Sequence, residues 1–284
     1  MTAATTTGAE LRRQGGLDVL AWPSIDAAGV DAMVTTRRGG VSAAPYGTLN
    51  LALHVGDEPA SVLANRRRVA AAIGADLPDF VFCEQSHSNH VTVVSAADRG
   101  RGTLRRDDAV GQTDAVVTAD PGTVLAVLVA DCVPIILLDP EARVLACVHA
   151  GWRGTVAGVT GAALHAMQSL GARPARMLAV IGPAVAASRY QVGPEVAAAA
   201  DRFFGGDVAG IVRADGPGHW LFDLPAANRR VIRESGVPDR QILGTDLATG
   251  SGPDSAPGLF FSDREARPCG RFAAVARLRP REDG

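Results

Sequence analysis

Between residues 116 and 148 the chain is built largely from short runs of Val, Ile, Leu and Ala, and no other stretch limits its fold so tightly. Residues 116–118, 124–129, 134–138 and 144–148 are each of strand length and aliphatic at nearly every position. Asp120-Pro121-Gly122 and Asp139-Pro140 are turn signals between them. Strands without a polar face belong at the buried centre of a layered fold.

The flanking segments alternate in type. Residues 31–36 read as a strand that leads into Arg37-Arg38-Gly39-Gly40 and a polar, Gly-rich loop running to Asp57. Asp57 is placed to cap a helix over 58–73, in which Val62, Val69 and Ile73 share a face and Arg66 to Arg68 point mostly outward. Further strands are expected at 80–84, 91–95, 177–181 and 272–278, and helices at 155–170, 194–203 and 226–235. Residues 99–108 read as a charged, solvated loop, and 252–258, with two prolines, as another. Adjacent strands with helices outside them indicate α/β or α+β layering, not a simple βαβ array. Residues 17–284 are expected to form one domain, and residues 1–16, small, polar and Gly-rich, a disordered leader. The apolar run 123–138 is too short for a membrane span and is broken by Asp131 and Pro134.

All 28 basic residues are arginine. The absence of lysine removes a Gly-Lys-Ser phosphate loop, a Schiff base and an ammonium base, so anions must be met by arginine, backbone amides or a metal. A net charge of -2 with dispersed arginines calls for neither nucleic acid nor a membrane as partner. Four cysteines without a Cys-x-x-Cys pair argue against a disulfide scaffold or zinc knuckle and suit a reducing cytoplasm.

Among six histidines, His165 falls in a helical stretch and His219 in a Pro-Gly loop, which favours structural or solvent-exposed roles. His87 lies in Glu-Gln-Ser-His-Ser-Asn-His at the end of a strand, where sites on sheets form. Cys132 and His149 bracket a hairpin of apolar strands. Together His87, Cys132 and His149 offer two imidazoles and a thiolate, a set suited to zinc with a fourth position open. Their wide spacing equally accommodates a buried cysteine and a hydrogen-bonded strand-end histidine without metal. After His149, the run Ala-Gly-Trp-Arg-Gly starts a helix whose free amides, with Arg153, suit an anion.

Taken in order, Thr35-Thr36-Arg37-Arg38-Gly39-Gly40-Val41-Ser42, Leu49-Asn50-Leu51, His54-Val55-Gly56-Asp57, Asn65-Arg66, Gln85-x-His87, Thr113-Asp114-Ala115, Ala130-Asp131-Cys132-x-Pro134, His149-Ala150-Gly151-Trp152-Arg153-Gly154 and Ile181-Gly182-Pro183 resemble the YfiH family over about residues 30–278. That family was formerly called the laccase-domain or multicopper polyphenol oxidase family, and its members are now described as purine nucleoside phosphorylases. The resemblance implies an α-β-β-α sandwich with mixed sheets. It also implies a zinc on the residues matching His87, Cys132 and His149, phosphorolysis of adenosine, inosine and methylthioadenosine, and hydrolytic deamination of adenosine. Neither a nucleic acid nor an obligate protein partner is implied. The chain departs from the family pattern at Gly244-Thr245-Asp246, in place of a Cys-Thr pair, and at Ser262-Asp263-Arg264-Glu265, in place of Ser-Tyr-Arg-Arg; Gly270-Arg271 is retained.

On this reading Arg153, with Arg37 or Arg38, holds phosphate, and Asn50 or Asp114 hydrogen-bonds base or sugar. A multicopper oxidase needs many more histidines, often in His-x-His pairs, although copper can enter the single site. The His-x-Glu and Pro-Cys-x-x-Cys signature of zinc deaminases is also absent. Two competing readings remain: a metal-free amidase acting on cell-wall precursors, with Cys132 as nucleophile and His149 or His87 as base, and a binding module without turnover.

Overall fold

The computed structural model describes residues 8–251 and 258–280. Its strands are β1 (Glu10–Gln14), β2 (Leu17–Ala21), β3 (Val30–Thr35), β4 (Phe80–Phe82), β5 (Val91–Val93), β6 (Ala115–Thr118), β7 (Val124–Val129), β8 (Val133–Asp139), β9 (Val144–Ala150), β10 (Leu178–Ile181), β11 (Gln191–Val192), β12 (Val212–Ala214), β13 (Trp220–Phe222), β14 (Ile242–Leu243) and β15 (Phe272–Leu278). Its helices are α1 (Pro23–Ala27), α2 (Pro59–Ala72), α3 (Trp152–Val156), α4 (Val159–Ser169), α5 (Pro194–Phe203) and α6 (Leu224–Glu234). None of them is long and apolar enough to cross a membrane.

Two six-stranded sheets, ordered β1-β2-β3-β15-β7-β4 and β14-β10-β8-β9-β6-β5, lie face to face, and a small β11-β13-β12 sheet stands beside α5. Both large sheets are mixed: β4 runs parallel to β7, β5 to β6 and β14 to β10, and the remaining pairs are antiparallel.

The aliphatic runs follow from this layering, because side chains alternate across a strand. On β7, Leu125, Val127 and Val129 enter the inter-sheet core, where they meet Ile136, Leu138, Leu145 and Cys147 from β8 and β9. Val124, Ala126 and Leu128 face the other way, onto Val69, Ala70 and Ile73 of α2. On β9, Val144, Ala146 and Val148 pack on Ala163, Leu164 and Met167 of α4, with Ala227 and Ile232 of α6 beside them. Each central strand is therefore buried on both sides, and the α-β-β-α order follows.

Three local expectations are corrected. Glu10–Gln14, assigned above to the disordered leader over residues 1–16, is strand β1, paired to β2 from Glu10↔Ala21 to Gln14↔Leu17; residues 1–7 of that leader lie outside the described residues. Its turn is Gly15-Gly16, both at positive φ (55° and 82°), which is the two-residue hairpin signal. The polar sequence of an edge strand masked it: Leu11 is left exposed. Asp57 does not cap α2 through its side chain; Glu58 precedes the helix, and Asp57 accepts from Ser42 Oγ (2.6 Å) and Asn50 Nδ2 (2.9 Å). The helix expected over 155–170 is two helices, because Gly158 takes a left-handed conformation (φ 85°) between α3 and α4. Residues 252–257 of the expected loop lie outside the described residues.

A Cβ at Gly15 would lie 2.5 Å from Ala72 Cα, whereas Gly16 has open space. Gly15→Ala should therefore lower the unfolding free energy, read from the urea midpoint, by more than the ~1–2 kcal/mol that a left-handed alanine costs, and Gly16→Ala by about that amount. Equal midpoints for wild type and both variants would show that this hairpin does not dock.

Candidate metal centre

Two passages of the chain between the two sheets carry the candidate residues at one end of the sandwich. β7 lies in the first sheet and β8 in the second, so Ala130, Asp131 and Cys132 make the crossing. The segment between β4 and β5, which carries His87, makes another. Pairing of Val133 with Ala150 and of Pro134 with His149 then brings Cys132 beside the end of β9.

Asp131 sets the first crossing. It sits at φ 82°, buried, and accepts from Thr249 Oγ1 (2.5 Å) and the Arg264 amide (2.7 Å), while its carbonyl receives Val185 N–H (3.0 Å). Asp114 sets the second. This fully buried carboxylate accepts from the amides of His87 (3.0 Å) and Ser88 (2.7 Å), from the Ser88 hydroxyl (2.8 Å), and pairs with His149 Nδ1 (2.8 Å). His87 itself takes a left-handed conformation (φ 60°).

His87, Cys132 and His149 are thereby brought together. Each offers a ligand atom, and these atoms lie within 4.8 Å of one another. Cys132 Sγ is 3.8 Å from His87 Nε2, and the two rings meet edge-on at 4.8 Å. A tetrahedral zinc with ordinary bond lengths separates its donors by ~3.3–3.6 Å, so small adjustments close the site. Asp114 holds the Nδ1 side of His149 and leaves Nε2 for a metal, as ligand histidines commonly require. Gly151 keeps the centre open, since a Cβ there would stand 2.8 Å from His87 Cδ2 and 2.9 Å from Cys132 Sγ.

The electrostatics suit a cation. Burial works against the Cys132 thiolate, but His149 and His87 outweigh it and bring the thiol down to about 6. Burial likewise opposes a charged His149, yet Cys132 and Asp114 raise it to about 9. Asp114 is held well below the usual carboxylate range, because hydrogen bonding to His149 and Ser88 overcomes its desolvation. Both shifts favour the imidazolium–thiolate form of the pair, and binding a metal displaces the imidazolium proton.

The three donors open into a cleft of about 380 Å³ lined by six arginines and by Phe82, Leu128, Trp152 and Tyr190. Of the other residues expected to bind substrate, only Arg153 lines it, with its guanidinium 4.4 Å from the Trp152 ring. Arg37 turns away, donating to the Gly47 carbonyl (2.9 Å) over the Phe261 ring, and Arg38 donates to the Gly258 carbonyl (3.2 Å). Asn50 is buried with both ends engaged: Oδ1 accepts from the Ala52 and Arg271 amides, and Nδ2 donates to Ala52 O and Asp57. Asp114 supports the histidines from behind. The helix after Gly151 is only five residues long, which weakens the anion role expected of its amides.

The sequence reading missed Arg66, which is buried and not outward-facing. The signal was its spacing, on one α2 face with Val62, Val69 and Ile73. The loop 99–108 is likewise no mere solvated surface, because the Gly102 and Thr103 carbonyls accept from Arg66. Arg264, in the divergent C-terminal run, lines the cleft and stacks over Tyr190 at 4.9 Å.

A family model described as multi-copper polyphenol oxidoreductase laccase matches residues 31–279. The purine nucleoside phosphorylase of Deinococcus radiodurans is 38% identical over 278 residues, covering 95% of this chain and 96% of its own. Purine nucleoside phosphorylase ORF3 of Streptomyces griseus is 47% identical over 252 residues, 86% of this chain and 92% of its own. The crystal structure of the hypothetical protein YfiH of Bacillus licheniformis superposes with a TM-score of 0.89 at 31% identity, covering 95% of this chain and 99% of that one.

Cys132→Ala should abolish zinc uptake, measured by elemental analysis after dialysis. Asp114→Asn should weaken zinc affinity about 10- to 100-fold in a chelator competition, the usual cost of losing such a support. Undiminished zinc in Cys132→Ala would remove the thiolate from the ligand set.

Proposed function

The chain belongs to the YfiH, or laccase-domain, family, and on that premise we propose that it is a zinc-dependent purine nucleoside phosphorylase. Its substrates on this reading are adenosine, inosine and methylthioadenosine with phosphate, and hydrolytic deamination of adenosine accompanies phosphorolysis. One observation carries the proposal: two imidazoles and a thiolate converge at the edge of a cleft that offers aromatic walls and guanidinium groups together. The relatives from Deinococcus radiodurans and Streptomyces griseus, both named purine nucleoside phosphorylases, support the same chemistry.

His87, Cys132 and His149 would hold the zinc, which would supply Lewis acidity to the cleft. Two imidazoles and a thiolate also suit copper, but a blue-copper centre adds a weak axial ligand, often methionine. Met33, Met167 and Met177 are all in the core and away from the cleft. Among the described residues this is the one group of three such donors, whereas laccase chemistry requires several coppers. Copper can enter the site; zinc is the metal assigned.

The chain's own residues supply the rest. Asp114 keeps the His149 ring in one orientation, and Asp131 keeps the Cys132 backbone in place. Trp152 and Tyr190, each already carrying a guanidinium on its ring, line the cleft with aromatic surface against which a flat base can pack away from water. Guanidinium groups present phosphate to C1′ of the ribose; an oxygen–carbon bond forms there as the glycosidic carbon–nitrogen bond breaks, and the base leaves with that electron pair.

A second reading draws on the lowered Cys132 thiol between two imidazoles, an arrangement that also activates a cysteine nucleophile. Purified protein should contain about one zinc per chain. It should release hypoxanthine from inosine only with phosphate, lose that activity on chelation and regain it with zinc. Metal-free protein inert toward nucleosides would sink the phosphorylase and leave the cysteine amidase.

A further inference from the structure

Arg66 is 3% exposed, and every acceptor it uses is a neutral carbonyl. Nε donates to Leu51 O (2.8 Å) and Nη1 to Gly102 O and Thr103 O, while the guanidinium lies 3.9 Å from the Phe82 ring centre. Nη2 has no protein partner among the described residues. Among the described residues no enclosed side-chain nitrogen is left unpaired, so Nη2 reaches the cleft that Arg66 lines. A guanidinium removed from water without a carboxylate is costly, and a site that keeps one has a use for the charge.

Three neighbours share the same space. His54, Arg106 and Arg271 also line the cleft, and the cationic field there is felt by His54: burial, then Arg271, Arg106 and Arg66, lower its imidazole to about 4. The carboxylates facing this end are already engaged. Glu84 pairs with Arg106 (3.1 Å), Asp263 with Arg271 (2.8 Å) and Arg267 (2.7 Å), and Asp108 accepts from the Gly102 amide (2.9 Å) beside Arg105. Burial brings Arg66 down to about 9, against the attraction of Asp108, so it stays cationic at neutral pH. The carbonyl bonds explain Nε and Nη1 as structure; the free Nη2 and the surplus charge are explained by an anionic ligand.

We propose that Arg66, with Arg106, Arg271 and His54, is the phosphate subsite of this cleft, in place of Arg153 and the single turn of α3. This rests on the phosphorylase reading. A planar guanidinium anchored by its own carbonyl bonds presents its remaining edge to phosphate oxygens with little entropy to lose. Phe82, beneath Arg66, and His87 are five residues apart, so at most ~18 Å of chain separates the two ends. The anion is assigned as inorganic phosphate; the phosphate ester of a nucleotide is the other source of the same chemistry.

The test uses zinc-loaded wild type, Arg66→Lys and the exposed Arg106→Gln, with zinc content measured for each. KM for phosphate at saturating inosine should rise tenfold or more in both variants, with KM for inosine unchanged. Calorimetric binding of phosphate without nucleoside should weaken by a similar factor. Should Arg66→Lys fail to fold, Arg106→Gln alone decides. Phosphate-dependent base release with unaltered phosphate KM and binding in the folded variants would overturn the subsite and leave the phosphorylase standing. Arginine-dependent phosphate binding in a protein that releases no base would sustain the subsite and retire the phosphorylase. Inosine 5′-monophosphate binding more tightly than inosine, by an increment that Arg106→Gln removes, would reassign the site to a nucleotide ester and overturn the assignment to free phosphate.

Discussion

Asp114 has no solvent exposure, and its two oxygens receive the amides of His87 and Ser88, the Ser88 hydroxyl and the His149 ring. It stands immediately before β6, so it is anchored in the second sheet, and through it the sheet grips a segment that has come across from the first. A buried carboxylate is tolerable only with this many donors. Without it, the left-handed backbone at His87 would have no reason to persist, and His149 would be free to turn its ring.

The architecture supplies what that carboxylate needs. Both faces of each central sheet are covered, which makes the strands rigid and leaves the crossings between sheets as the places where backbone polarity must be met by side chains. Asp131 performs at the β7–β8 crossing what Asp114 performs at the other, satisfying the hydroxyl of Thr249 and the amide of Arg264. Cys132 and His87 are thus carried on strained but well-supported backbone, and His149 on a strand end. Such placement allows reactive groups to be held near one another before any ligand arrives.

A chain without lysine meets anions by guanidinium, and here arginine is used in two distinct ways. Most are solvated or paired with carboxylates on the surface, where they contribute little. Arg66 is enclosed, stacked on Phe82 and bonded to carbonyls, so its position is set by the fold. The cleft therefore carries two imidazoles and a thiolate placed close enough to hold a metal, with a separate positive region and aromatic side chains beside them.

Much of this was legible in the residues alone. The aliphatic runs implied strands buried on both faces, because only a layer on either side makes such composition stable, and β7 and β15 match their expected bounds. The ordered motifs marked His87, Cys132 and His149. What could not be read was anything set by neighbours distant in sequence. Arg66 looked outward because charge was weighed above helical spacing, and its carbonyl partners lie 15 to 37 residues away. Asn50 and Asp114 looked available because polarity in a loop suggests a ligand; burial and saturated hydrogen bonds made them supports. The β1 strand was hidden since an edge strand needs no apolar pattern. Sequence by itself determined the layers and singled out two imidazoles and a thiolate that the fold brings together, through periodicity and residue chemistry, which are local. Tertiary structure decided which polar groups face the cleft and which hold it in place, because that depends on where the chain crosses between sheets and what it meets there.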